Sequence, residues 1–144
     1  MTAAMTLLGE HIHELPDVNV VIVDDGIEGM PVDLPCVTVE EYKISKGTRF
    51  TGPNAMLHLQ WIITIYAPTK AACRLIAARI RHLYRKHNTQ SSDRYNAMNA
   101  LRMTGIDWMD GQLASYTQVS KDPQLYSCTL IMEAIYDELE EGTY

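Results

Sequence analysis

The sequence predicts an α+β domain, in which a mainly antiparallel, twisted β-sheet carries two packed α-helices. Three observations favour this fold class. Apolar residues alternate with other residues over residues 55–67, a helical pattern follows over residues 69–87, and a second alternating run covers residues 126–136. A period of two is typical of strands with one buried face, whereas spacings of three and four are typical of helices.

Length and composition predict a single folded domain over residues 1–144. Hydrophobic residues make up 47% of the chain and charged residues 21%, which excludes a disordered polar chain. The formal net charge of -6 predicts long-range repulsion from nucleic acid. No apolar run approaches the roughly 18 residues of a membrane span, and the N-terminus lacks a signal-peptide pattern, so we expect folding in the cytoplasm without a membrane partner. Three widely spaced cysteines in apolar segments, Cys36, Cys73 and Cys128, predict reduced core thiols.

The N-terminal part of the chain predicts one helix and one strand. Apolar residues recur at helical spacing over residues 3–15, namely at Ala4, Met5, Leu8, Ile12 and Leu15. Thr2 is suited to cap this helix, and Pro16 is suited to end it. Residues 18–23 are a β-branched run closed by turn residues, which predicts a short strand.

Two long antiparallel strands joined by a long loop are predicted next. Residues 36–44 alternate, and one face of the strand at residues 55–67 is formed by Leu57, Leu59, Trp61, Ile63 and Ile65. Residues 45–54 between them contain Gly47, Gly52 and Pro53, and they are far more numerous than a tight hairpin requires. We therefore expect a long mobile loop.

The second helix is predicted to begin at Thr69, just after Pro68. Its sheet-facing stripe recurs at spacings of three and four and consists of Cys73, Ile76, Ile80, Leu83 and His87. The polar residues 88–96 predict a loose connector rather than a regular element.

The C-terminal part predicts strands followed by a frayed end. Residues 100–108 and 126–136 are the expected late strands, and residues 109–119 are a candidate for a further strand between them. The acidic residues 137–144 are expected to be frayed.

No residue pattern predicts catalysis, a cofactor or a metal. His11 and His13 are two residues apart, so on a helix they point in different directions and cannot share a metal ion. Asp24, Asp25 and Glu28 surround a glycine, but the oxygen spacing of a calcium loop is absent, and solvated turn acids are favoured. The chain also lacks a nucleophile elbow and a glycine-rich phosphate loop. We expect that the protein is not an enzyme.

Charge is distributed unevenly, because the second helix is strongly basic in an acidic chain. It has six of the chain's 12 basic residues and no acid: Lys70, Arg74, Arg79, Arg81, Arg85 and Lys86. Arg74, Arg81 and Arg85 are spaced by seven and four residues, so they can share one exposed face.

Three interpretations of this basic face remain open. It is a solvated outer surface, or it contacts an acidic surface of a neighbouring copy, or it binds DNA. For the second interpretation the acidic counter-surface is either Asp24, Asp25 and Glu28 or the C-terminal acids, and such a contact sets register and orientation more than affinity. DNA binding is the least favoured interpretation, since aromatic residues are not interleaved with the basic residues and no DNA-recognition motif is present.

The predicted loop contains one large apolar residue, Phe50, near Lys46 and Arg49. Such a loop is costly to order alone. It is therefore either simply mobile or ordered by a partner that accepts Phe50, and we favour the partner.

The order of these features resembles a known family. The segments that carry the resemblance are Pro-Cys-Val-Thr-Val at 35–39, the long loop, Leu-His-Leu-Gln-Trp-Ile-Ile-Thr-Ile-Tyr-Ala-Pro at 57–68, the Ala/Arg-rich helix, Gly-Ile-Asp-Trp at 105–108 and Tyr-Ser-Cys-Thr-Leu-Ile-Met-Glu-Ala-Ile-Tyr at 126–136. Together with the amphipathic N-terminal helix, this layout is similar to that of the tail-terminator, or tail-completion, proteins of long-tailed, lambda-like bacteriophages. The basic helix has no counterpart in a motif of that family.

The resemblance implies a structural virion protein of the tail or neck, assembled in the bacterial host cytoplasm. Such a protein forms a hexameric ring that caps the tail tube, stops tube polymerisation and offers a surface to head-completion or connector proteins, while DNA passes through the lumen without specific recognition. Carried over to this chain, Lys46, Arg49 and Phe50 would contact the tube. The basic residues Arg74, Arg81 and Arg85 would lie at or near subunit or neck-protein contacts.

Other functions are compatible with the same sequence. A head-tail connector or adaptor, or the tail tube protein itself, would share an architecture of sheet and helices. A small nucleic-acid-binding regulatory protein that uses Arg74, Arg81 and Arg85 is a more distant alternative.

Overall fold

A computed structural model describes residues 2–23, 33–46, 54–84, 89–109, 116–121 and 124–139. Three helices and six strands lie in these ranges. In chain order they are α1 (Thr2–His13), β1 (Val20–Val23), β2 (Cys36–Lys46), β3 (Asn54–Ala67), α2 (Lys70–Arg81), α3 (Thr89–Ala100), β4 (Met103–Trp108), β5 (Tyr116–Lys121) and β6 (Gln124–Leu139).

The six strands form one sheet in the order β1-β2-β3-β6-β4, and β5 also pairs with β6. Only β1 and β2 are parallel, and the remaining pairs are antiparallel. The centre of the sheet is the pairing of β3 with β6, which extends from Asn54 opposite Leu139 to Ala67 opposite Tyr126. The predicted α+β class with a mainly antiparallel sheet is confirmed.

The alternation of β3 places its two sets of side chains as predicted. Leu59, Trp61, Ile63 and Ile65 are buried, whereas the intervening Gln60, Ile62 and Thr64 are half-buried and His58 at the start of the run is exposed. The buried set belongs to one core with apolar residues of α1, α2 and α3. The helices of the described ranges therefore cover one face of the sheet, which we call the inner face, and the opposite face is called the outer face.

Local chemistry explains where α2 begins and which side it buries. Thr69 is the N-cap rather than the first helical residue, and its hydroxyl oxygen accepts a hydrogen bond from the Ala72 amide at 3.1 Å. The predicted stripe residues Cys73, Ile76 and Ile80 are buried against the sheet, as is Leu83 just after the helix. Burying one stripe of the helix leaves its charged residues toward solvent.

The prediction of two helices is wrong, because the described part of the chain contains three. Residues 89–100 form α3 where the sequence predicted a loose connector over residues 88–96. α2 ends at Arg81, so residues 82–84 form a turn instead of continuing the helix toward residue 87. The second helix is therefore shorter than its apolar spacing suggested.

Several strand bounds also differ from the prediction. β2 continues through Lys46, so Ser45 and Lys46 belong to the strand and not to the loop, and β3 begins at Asn54. β6 continues to Leu139, so residues 137–139 are paired with β3 rather than frayed. Antiparallel pairing along this length satisfies backbone groups that a sequence pattern cannot assign to a partner. The predicted loop residues 47–53 and the end of the chain from residue 140 lie outside the described residues.

No helix in the described ranges is long and apolar enough to cross a membrane.

Candidate interaction surfaces

The end of β2 that leads to residues 47–53 carries two exposed apolar side chains. Tyr42 is 58% exposed and Ile44 is 43% exposed. β1 pairs only with the first four residues of β2, so no described strand lies beside the rest of that edge. The register of β2 against β3 also shifts between Glu41 and Lys43, as in a β-bulge. We call Tyr42 and Ile44, on this unpaired part of β2, the hairpin end.

The hairpin end adjoins the predicted tube-contacting residues. Lys46 is the last residue of β2, two positions beyond Ile44. Arg49 and Phe50 lie outside the described residues, so their predicted role is not tested. Sequence analysis did not identify Tyr42 and Ile44, although an alternating strand with large apolar residues near a long loop was a usable signal.

The solvent side of α2 is the second surface. Arg74 is exposed, Arg81 is half-buried, and Leu75 between them in sequence is 46% exposed. Arg74 and Arg81 are seven residues apart and so lie on one side of the helix, although Arg81 is only partly exposed. Arg85, the third residue of the predicted face, lies outside the described part of the chain.

The basic side chains of α2 lie on two flanks of the helix. On one flank, Arg79 donates to a carboxylate oxygen of Asp17 at 2.8 Å and to the carbonyl oxygen of Pro16 at 3.0 Å. This base is therefore engaged within the subunit. On the other flank, Lys70 Nζ lies 5.7 Å from the centre of the Tyr126 ring of β6.

Arg81 also lies on the β6 flank. Its Nε donates to the carbonyl oxygen of Ala77 at 3.4 Å. The Arg81 charge lowers the pKa of Cys128 on β6, although burial has the larger effect and raises that pKa overall. Lys70 and Arg81, with Arg74 between them, therefore make this the basic flank of α2.

The predicted acidic counter-surface, Asp24, Asp25 and Glu28, lies outside the described residues. The structure brings two other acids together. Asp107 of β4 and Glu133 of β6 are directly opposite each other in the sheet register. Glu133 points to the outer face because its neighbours Met132 and Ala134 are buried toward the helices.

A bulge in β4 sets this pair opposite each other. The register of β4 shifts between Thr104 and Asp107, and Gly105 in this stretch has φ of 61°. A positive φ favours glycine, since a side chain at that position would strain the backbone. The Gly105 amide donates to the hydroxyl oxygen of Tyr95 at 3.1 Å, which connects the bulge to α3.

The two acids lie in an open cavity of about 410 Å³ on the outer face, which we call the acidic groove. Its lining residues are His58, Leu59, Gln60, Gly105, Asp107, Glu133, Ala134 and Ile135. Gln60 Nε2 donates to Glu133 Oε1 at 3.1 Å, and the Trp108 amide donates to Asp107 Oδ1 at 2.8 Å. Across the described residues, neither carboxylate forms an ion pair with a basic side chain.

His11 occupies a position that sequence analysis did not anticipate. It is buried, and its Nδ1 lies 2.9 Å from the Tyr84 hydroxyl oxygen. Burial lowers the pKa of His11, Arg94 lowers it further, and Glu14 and Glu10 act in the opposite direction. An open cavity of about 320 Å³ beside this pair is lined by His11, Glu14, Asp93 and Arg94.

The three cysteines are buried and are not joined by disulfides. Burial raises the pKa of each thiol, and the pKa of Cys73 reaches about 11. They are therefore neutral core thiols with little nucleophilic character. Within the ranges that the structure describes, no group of three or more His, Cys, Asp or Glu residues is arranged to hold a metal ion.

No protein-family model matches the chain, and no curated protein matches it. Among solved structures, the chain is similar to one from the "Virion of native gene transfer agent (GTA) particle", with a TM-score of 0.49 and 12% sequence identity. The similarity covers 96% of this chain and 87% of that one.

Proposed function

We propose that this protein is a tail terminator of a long-tailed bacteriophage. It acts as a single-domain virion subunit that forms a ring, caps the tail tube, stops tube polymerisation and presents a surface for head-tail joining. The proposal rests on the order of sequence features that resembles this family and on the surfaces of the folded domain. It assigns no catalytic step to the chain.

The hairpin end is the observation that carries the proposal. Tyr42 and Ile44 are exposed on a strand edge beside which no described strand lies, shortly before the segment that contains Arg49 and Phe50. An unpaired edge with large apolar side chains is prone to pair with another chain unless it is covered. A docking end for the tube accounts for this exposure, and it extends the predicted contact set of Lys46, Arg49 and Phe50 into β2.

A ring requires two different complementary patches on each subunit. A heterologous contact that repeats through a fixed rotation closes into a ring when that rotation divides a full turn, and otherwise gives an open filament. The basic flank of α2 supplies one patch, and the acidic surfaces of the domain supply candidates for the other. Complementary charge of this kind fixes orientation and register more than affinity.

Termination follows from the asymmetry of such a ring. One ring surface carries the hairpin ends and matches the tube, whereas the opposite surface does not, so no further tube subunit can add. DNA passes through the lumen without being read. The segment at residues 47–53 would become ordered on docking, and this cost limits association of free subunits before a tube is present.

Electron microscopy of the purified protein, combined with light scattering on a sizing column, tests the proposal. A terminator should form closed rings at most, and added tube protein from the same particle should yield tubes closed at one end by those rings. Open-ended tubes formed by the purified chain would instead identify a tube protein. Rings that bind connector proteins but not tubes would identify an adaptor.

The nucleic-acid-binding alternative is favoured only by the exposed Arg74 on α2. It predicts a monomer whose DNA affinity falls with salt and is lost on Arg81→Glu. A ring-forming chain without such affinity would exclude this alternative.

A further inference from the structure

Two surfaces on opposite layers of the domain carry opposite charge. The acidic groove on the outer face of the sheet contains Asp107 and Glu133, and no Lys or Arg is among its lining residues. The solvent side of α2, on the helical layer, presents Lys70 and Arg74 beside the exposed Leu75. Because the two surfaces face opposite directions, one subunit cannot bring them together within itself.

The acidic pair is electrostatically unfavourable in the isolated subunit. Like charges directly opposite each other on neighbouring strands destabilise a sheet. The amide donors from Gln60 and Trp108 each satisfy one carboxylate oxygen, but they do not neutralise either charge. A cationic side chain placed between Asp107 and Glu133 would remove the repulsion.

The size and charge of the groove suit a helix that presents one basic and one apolar side chain. Its volume of about 410 Å³ exceeds that of a single side chain, and beside the acids it presents the side chain of Ile135, whereas the side chains of Leu59 and Ala134 are buried toward the helices. On α2, Arg74 and the 46%-exposed Leu75 are adjacent in sequence and both exposed. Ala71 and Ala78 near them are small, so a neighbouring surface can approach the helix closely.

We propose that the solvent side of α2 in one subunit docks into the acidic groove of the next copy of the chain. Arg74 lies between Asp107 and Glu133, and Leu75 contacts Ile135 in the groove. This inference rests on the proposed ring, for which it specifies the subunit interface. It replaces Asp24, Asp25 and Glu28 as the acidic counter-surface with residues of the sheet.

A second copy is the favoured occupant because the chain supplies both halves of the contact in equal numbers. The groove surface and the helix surface are different, and they lie on opposite layers, so each copy uses both and the contact is heterologous. DNA does not satisfy both surfaces, since its phosphates would be repelled by Asp107 and Glu133. Another acidic protein would satisfy α2 but would leave the groove empty.

Charge reversal on each surface tests the contact. Arg74→Glu and Glu133→Arg are each expected to raise the apparent dissociation constant of the ring by about tenfold or more, because each places like charges in the interface. Light scattering on a sizing column measures the assembly, and circular dichroism checks that each variant is folded. Lys121→Glu on β5 and Glu10→Arg on α1 make the same net-charge changes at exposed sites elsewhere, so both controls should assemble like the wild type.

Recombining the reversed charges provides the decisive measurement. The double variant Arg74→Glu/Glu133→Arg should regain assembly, because every interface then contains an exchanged pair. An equimolar mixture of the two single variants should also form rings, in which the two variants alternate. If neither restores assembly, the assigned contact is wrong.

The outcomes separate this inference from the proposed function. Wild-type rings that are unaffected by Arg74→Glu and Glu133→Arg but are lost on Tyr42→Ser/Ile44→Ser would overturn the interface while leaving the ring intact. Such a result would assign ring closure to the unpaired strand edge. A wild-type chain that stays monomeric at all concentrations, with and without tube protein, would overturn both.

Discussion

His11 Nδ1 and the Tyr84 hydroxyl oxygen lie 2.9 Å apart, and their rings pack edge to face with centres separated by 5.8 Å. His11 is on α1, and Tyr84 is in the turn that follows α2. Both residues are buried. This hydrogen bond joins α1 to the turn that follows α2, within the layer over the sheet.

Replacing Tyr84 by Phe removes this hydrogen bond with little change in volume. We expect Tyr84→Phe to lower the free energy of unfolding by about 1–2 kcal/mol, because a buried ring nitrogen of His11 loses its partner. Urea unfolding followed by circular dichroism measures the change. Tyr95→Phe is the matched control, since the Tyr95 hydroxyl bonds the Gly105 amide at an exposed site, and it should cost less. Equal losses in the two variants would show that burial of the bond is unimportant.

Acid should weaken the fold through His11. Burial lowers the pKa of His11 below its ordinary value of 6.5, so below that pH the unfolded chain binds the proton more readily than the folded chain. The stabilisation that neutral, buried His11 contributes to the fold is therefore complete above pH 6.5. It is lost as the pH falls toward the lowered pKa of His11, and it changes no further below that pKa. The free energy of unfolding, measured at intervals from neutral pH to about pH 5, should fall for this reason.

A neutral replacement isolates this effect. His11→Gln cannot be protonated in this range and should show a shallower dependence of unfolding free energy on pH. His13→Gln makes the same substitution at an exposed histidine two residues away and serves as its matched comparison. A slope in His11→Gln as steep as that of the wild type would assign the acid sensitivity to other groups.

The burial of His11 could have been found in the sequence, because the residue follows Leu8 by three positions and precedes Ile12 and Leu15 on the same helical stripe. His11 was considered only as a metal ligand. The partner Tyr84 could not have been found this way. It lies 73 residues away, and only the packing of the helices on the sheet brings the two together.

The strands were predicted more accurately than α3 for a physical reason. Alternation in β3 and β6 directly reports a half-buried sheet, whereas α3 is rich in Ser, Asn and Asp, which favour caps and turns. Its apolar anchors are few: Met98 is buried and Tyr95 packs against the core, and Leu101, just after the helix, packs there as well. Tertiary packing therefore stabilises this helix against its local preference.

The candidate surfaces were predicted only in part. The basic face of α2 follows from the spacing of Arg74 and Arg81 on one helix. The acidic groove depends on the register of three strands, and a bulge in β4 sets Asp107 opposite Glu133. A shift by one residue would send either side chain to the other face, and no local pattern specifies the register.

Close packing of α1 on β1 provides a test of the helical layer. A Cβ atom on Gly9 would overlap Val23 Cγ2 and lie 3.6 Å from Val21 Cγ1. Alanine is the better helix former by about 1 kcal/mol, but overpacking costs about 1–3 kcal/mol, so Gly9→Ala should destabilise the wild type. In a Val23→Ala background the overlap is gone, and the same substitution should stabilise the protein. Thermal melts of the four proteins measure the cycle, and Gly9→Ala effects of the same sign in both backgrounds would contradict the overlap.

The hairpin end should matter for assembly and not for folding. Tyr42 and Ile44 are exposed, so Tyr42→Ser/Ile44→Ser should leave the melting temperature within about 2 °C of the wild type. Tube capping should weaken at least about tenfold, because the variant removes apolar surface that docking would bury. Phe50→Ala should act in the same direction without loss of subunit stability. Pelleting of tubes with bound protein gives the affinities.

A third exposed apolar residue supplies the control for this prediction. Val119 on β5 is 45% exposed. Because β5 pairs with β6, it lies toward the edge of the sheet that is opposite to the β2 edge. Val119→Ser removes a comparable exposed apolar group and should leave capping unchanged. If Val119→Ser weakens capping as much as the hairpin-end variant does, a general loss of surface hydrophobicity explains the result. If only the hairpin-end variant and Phe50→Ala lose capping, the tube contacts β2 and the segment that follows it.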